Sequence, residues 1–248
     1  MAAPRIAGNP QSFRVRFEFV AALTTYGAVY LGFAVFSFTP AYRTREVAVS
    51  EVPRLLASSV VMNLLLFVVT ASLIMLLFRL RFARLTFARH RVLSWVVALA
   101  GGLVAMYLIN LVMSSLAAPL LPREPMDPSV QAVFQFFQPA SRALMLAPPV
   151  MFLTAGFPEE FFRAYVLSFA VRGRSARLAG YALLATSLFF AIGHIYQGAV
   201  AAVVLFPIGL FLGWFYLKRK NLWELVFLHT LYDSVVFILA ASFGVTPS

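Results

Sequence analysis

Seven stretches of this sequence are long and apolar enough to cross a lipid bilayer: 17–38, 55–78, 92–117, 143–170, 178–198, 199–217 and 222–243. A hydrocarbon core about 30 Å thick takes roughly 20 residues of helix. Inside it every backbone N–H and C=O must be satisfied without water, which leaves helices as the spanning form for runs of this kind. The fold class expected is therefore all-α: a polytopic transmembrane helical bundle of about seven spans, or eight if one helix is split. The chain is 62% hydrophobic and only 12% charged, half the charged share of a soluble domain.

No linker-like tract divides the 248 residues, so one membrane domain is expected, with three spans in 1–142 and four in 143–248. The first apolar run is span-length and lacks a cleavable leader pattern, which predicts that it is retained as the first helix. The fourth segment holds Pro148, Pro149 and Pro158. Its helix is expected to start after the proline pair, because a proline inside a helix removes a backbone hydrogen bond.

The net charge is +11. The basic residues fall in short clusters between apolar runs rather than along one soluble face, which argues against a nucleic-acid partner and for topology signals. Fourteen of the 20 cluster with Arg5, Arg14 and Arg16, with Arg79 to Arg91, with Arg172, Arg174 and Arg177, and with Lys218, Arg219 and Lys220. Five lie in the alternate connections: Arg43, Arg45, Arg54, Arg123 and Arg142. Cytoplasmic loops carry the positive excess, so the N-terminus is expected inside and the C-terminus outside. Cysteine is absent, which removes disulfides, thiol nucleophiles and thiolate metal sites.

Six ionisable residues fall inside spans of the C-terminal half: Glu159, Glu160, Arg163, His194, His229 and Asp233. A charge at mid-bilayer costs at least about 2.5–3.5 kcal/mol, so such residues face a bundle interior and mark function. Glu159 and Arg163 are four apart and can pair on one helix face, as can His229 and Asp233. Phe190 precedes His194 by the same spacing. For Glu159 and His194 to meet in depth, the fifth helix is expected to run a turn or two past His194. Each residue also admits a structural role, as a helix-locking ion pair or a histidine bonded to a nearby carbonyl. Glu224, Trp214, Trp223 and Tyr216 read as interfacial residues, and Gly209 with Gly213 as a close helix contact.

The order of these residues resembles the CAAX-processing and bacteriocin-processing membrane proteases over about the last hundred residues. The matching motifs are Glu159-Glu160-Phe161-Phe162-Arg163, then Phe190-Ala-Ile-Gly-His194, then His229-Thr-Leu-Tyr-Asp233. The stretch GWFYLKRKNLWELVFLHTLYDS also looks like that family's last two helices and their basic turn. One feature departs: two residues, not the family's three, separate the Glu pair from the Arg, so either Glu159 or Glu160 matches the base.

The resemblance implies an intramembrane endopeptidase. A Glu and the first His would activate water, while the second His and Asp233 would polarise the scissile carbonyl. Arg163 would pair with a carboxylate. The implied substrate is a membrane-anchored or membrane-proximal peptide or protein in a bacterial plasma membrane. No cofactor is expected; zinc is the lesser alternative, since two His and several carboxylates occur without an HExxH spacing. The alternative from another class is a proton-coupled transporter or immunity protein that uses the same polar cluster.

Overall fold

The computed structural model describes residues 10–39, 47–78, 85–121, 127–173 and 176–243, and these are helical apart from short connections. The helices are α1 (Pro10–Ser37), α2 (Val52–Phe78), α3 (Val92–Ala117), α4 (Pro128–Phe136), α5 (Ala140–Met151), α6 (Phe157–Gly173), α7 (Ala176–Gly193), α8 (Ala199–Arg219) and α9 (Leu222–Phe243). Six helical stretches among the described residues are long and apolar enough to span a membrane, with α5 and α6 counting as one stretch, Ala140–Phe169. The remaining expected span, 55–78, is helical as part of α2.

The apolar faces sort as a bilayer solvent requires. Val97, Val104, Leu108, Leu111 and Leu116 of α3 are exposed on the lipid side, where apolar side chains cost nothing. The buried core gathers Tyr26, Met106, Leu167, Phe169, Leu212 and Leu225 from five helices. A smaller cluster of Phe137, Ala143, Ala147 and Met151 packs on Phe237, Ile238 and Ala241 of α9.

Side-chain pairs fix the relative directions. Tyr26 bonds to Thr186 and the Tyr30 ring meets Phe190, so α1 runs parallel to α7. The Trp95 and Phe227 rings meet near the starts of α3 and α9, and Tyr107 donates to the Tyr232 carbonyl further along both, so these two also run parallel. In the hairpin of α8 and α9, the turn at Lys220 closes on the strand-like 85–91 segment: Ala88 N–H donates to Lys220 O (2.9 Å) and Leu222 N–H to Thr86 O (3.1 Å). The basic ends of α6, α7 and α8 and the start of α1 thus gather at one end of the bundle. Arg5, Arg43, Arg45, Arg79, Arg81, Arg84, Arg123 and Arg174 lie outside the described residues.

Two expectations need correction. The fourth span does not wait for the proline pair: α5 begins at Ala140 and contains Pro148 and Pro149, after which the helix widens to π pitch over Phe152–Gly156. One donor missing near this break is replaced from another helix. Thr154 O, whose i+4 donor would come from Pro158, accepts instead from Asn63 Nδ2 of α2 at 3.0 Å. Nor does the fifth helix run past His194. It stops at Gly193, and Ile195–Gln197 form one 3₁₀ turn. The depth problem dissolves when both arms are measured from the turn they share. Along α6 back to Glu159, and along α7 to His194, the lengths are roughly 21 and 27 Å at 1.5 Å per residue, so the two ends meet.

Candidate active site

The π segment sets the first pair of side chains. At Gly156 an added Cβ would lie 2.1 Å from Thr230 Oγ1 and 3.0 Å from Val226 O, so only glycine lets this backbone touch α9. That contact brings the first turn of α6, with Glu159 and Glu160, against His229. π bulges recur at functional sites because they re-aim side chains within a continuous helix.

Glu160 is wholly buried and both of its oxygens are engaged. Oε1 accepts from His229 Nδ1 at 2.8 Å, and Oε2 is ion-paired with Arg163 Nε at 2.8 Å. The pairing is therefore Glu160 with Arg163 at i,i+3, in place of the expected Glu159 with Arg163 at i,i+4. Both spacings share a helix face, and the choice falls to the oxygen that α9 does not use. Arg163 is itself fully buried. Its Nη1 donates to Gly209 O at 3.1 Å, and its guanidinium lies 4.4 Å from the Phe190 ring centroid. Gly209 has room for this because an added Cβ would lie 3.3 Å from Arg163 Nη1 and 3.2 Å from Ser187 Cα.

Glu159 points elsewhere. Its Oε1 lies 3.9 Å from His194 Nε2, and the two side chains keep 18% and 15% of their surface. His194 Nδ1 donates to Phe190 O at 2.8 Å. A carbonyl can only accept, so Nδ1 carries a proton; when the ring is neutral, Nε2 is the bare nitrogen and faces Glu159. On α9, His229 Nε2 lies 3.4 Å from Asp233 Oδ2, and Asp233 is 25% exposed. All six sequence-predicted residues thus lie in one connected cluster, with three of them partly open and Glu160, Arg163 and His229 enclosed. Among the described residues no group of three or more His, Asp or Glu has metal-holding geometry.

Glu224 turns into the bundle rather than toward headgroups. It is fully buried, hydrogen-bonded to His90 Nδ1 and to Arg219 through both Nε and Nη2. Asn221 Nδ2 adds a bond to Ala88 O at 2.6 Å. Tyr216 is likewise buried, its hydroxyl bonded to Thr86 Oγ1 at 2.9 Å. These contacts anchor the start of α9 five residues before His229. Trp214 and Trp223 do keep exposed surface, 47% and 39%, as interface anchors should.

Residues 141–235 match the family model described as type II CAAX prenyl endopeptidase, Rce1-like. No curated protein and no solved structure matches the chain. The matched segment runs from the start of α5 to two residues past Asp233, so it holds the π segment and the whole polar cluster. Over that segment the chain is similar to the CAAX-processing family of membrane proteases, and its six long apolar helical stretches among the described residues are those of a multi-pass membrane protein.

Proposed function

We propose that the chain is a glutamic-type intramembrane endopeptidase in which Glu159 and His194 activate the attacking water. The observation that carries this is the 3.9 Å separation of Glu159 Oε1 and His194 Nε2, two acceptors facing each other. A water that donates one hydrogen bond of about 2.8 Å to each spans roughly 4 Å between them and keeps its lone pairs outward. Glu159 takes the proton as the water attacks, and passes it to the leaving amine.

His229 then serves the carbonyl. Its Nδ1–H is tied to Glu160, so the ring is held in place. With Nε2 also protonated, that N–H donates to the developing oxyanion beside Asp233. Arg163 holds Glu160 and does not touch substrate. The test is cleavage of synthetic peptides with apolar C-terminal tails by the purified protein in proteoliposomes, with and without excess EDTA. Cleavage that persists in EDTA is expected. Loss of cleavage restored by zinc would sink the metal-free mechanism, and no cleavage of any tail would favour the transporter or immunity reading.

The site sits at the end of α7 away from the basic turns. With those turns in the cytoplasm of a bacterial plasma membrane, it opens to the opposite face and meets exported or membrane-anchored substrates. The chain has no cysteine, so single-cysteine variants report directly. Gln197→Cys is expected to react with an impermeant maleimide added to intact cells, and Lys218→Cys only after permeabilisation. The reverse pattern would overturn this orientation.

A further inference from the structure

α1 lies outside the matched segment, yet it reaches the cluster. Tyr30 packs its ring 6.4 Å from Phe190 and 4.7 Å from Tyr26, centroid to centroid. Its position is made by a glycine next to the catalytic pair: a Cβ on Gly193 would lie 2.2 Å from Tyr30 Cδ1. Tyr30 Oη and Glu159 Oε2 are both buried, and neither has a partner in strict hydrogen-bond geometry. Both residues face the Gly193–His194 corner, Tyr30 through its ring against Gly193 and Glu159 through Oε1 opposite His194 Nε2, with the Tyr26 ring on the other flank of the phenol.

We infer that Tyr30 is a positioning residue for the base: its hydroxyl donates to Glu159 Oε2, so that the N-terminal helix completes the site. The competing acceptor is Tyr26. Its own proton goes to Thr186 O at 3.3 Å, which leaves Tyr26 only an acceptor toward Tyr30, and a carboxylate is a stronger acceptor than a neutral hydroxyl. Holding Oε2 from behind turns Oε1 toward His194, the orientation in which one water bridges the two. A buried carboxylate oxygen without this donor would lack a partner, at a cost that favours the bond. The inference rests on Glu159 being the base for its effect on turnover, but the contact itself stands apart from any activity.

The test therefore has two arms. In the first, the purified full chain is labelled with the hydrophobic carbodiimide DCCD, which reacts with protonated carboxyl groups, and the adducts are mapped by mass spectrometry. Tyr30→Phe keeps the ring and removes the donor. Gly193→Ala keeps the donor and displaces the ring. Both are expected to label Glu159 several-fold faster than wild type, with Asp233 labelled at the wild-type rate. In the second arm, Tyr30→Phe is expected to lower kcat on a cleaved tail peptide roughly tenfold with KM unchanged, the scale of one lost bond to a charged group. Wild-type labelling of Glu159 in both variants would overturn the inference, and so would a rise shared equally by Asp233, which signals general loosening. If the wild type cleaves no peptide, the protease reading fails while the labelling arm still decides the role of Tyr30.

Discussion

Glu159→Gln is expected to lower kcat by about 10²–10⁴-fold, the range for loss of a positioned general base, with an unchanged unfolding midpoint. The substitution keeps the volume and one carbonyl oxygen but cannot take a proton from water. Stability should hold because Glu159 keeps 18% of its surface and stands 3.9 Å from His194, beyond the range of a direct hydrogen bond. His194→Gln should cost a similar amount. The double variant should be little worse than either single one, since two groups that bind one water act as a unit and their effects do not add. Peptide cleavage and thermal unfolding in the same detergent check all three. Retention of more than a tenth of wild-type kcat by Glu159→Gln would remove it as the base.

The membrane fold was legible because a bilayer leaves few choices. Apolar runs at 92–117 and 222–243 became α3 and α9 with the same bounds, since a span that long can satisfy its backbone only as helix. The fourth span was harder to read. Proline signals a broken helix, yet Pro148 and Pro149 sit within α5, and Asn63 from a distant helix supplies a donor near the break. A residue 91 positions away in sequence leaves no local pattern. The polar cluster was legible as a set, because charges in a span are costly and so mark themselves. Its internal pairing was not, since i,i+3 and i,i+4 partners share a face. The resemblance likewise left the two glutamates equivalent. Glu224 and Tyr30 were missed for a related reason: one sits at a helix start where acidic residues are common, and an aromatic in a span reads as packing. For Glu224 the neighbouring Arg219 and Asn221 were the available signal, for Tyr30 the Tyr26 one turn before it.

Glu160→Ala should be the most damaging single change to stability, by about 3–5 kcal/mol, the scale for removing one partner of a buried ion pair. The carboxylate holds two partners at once, Arg163 Nε by ion pairing and His229 Nδ1 by a hydrogen bond, each at 2.8 Å. Its removal leaves a fully buried guanidinium with Gly209 O and the Phe190 face as compensation. Arg163→Ala should cost a comparable amount by stranding Glu160. The double variant Glu160→Met with Arg163→Met removes both charges and roughly keeps the volume, so it should regain most of the stability lost in either alanine variant. Turnover separates the two roles. The double variant should stay inactive on tail peptides although folded, because His229 has lost the bond that fixes its ring, whereas Glu159→Gln is stable and inactive without disturbing His229. Unfolding in detergent with graded denaturant reads the stabilities. If Glu160→Ala is as stable as wild type, the buried network does not hold α6 against α9; if the double variant cleaves at the wild-type rate, Glu160 does not orient His229 for catalysis.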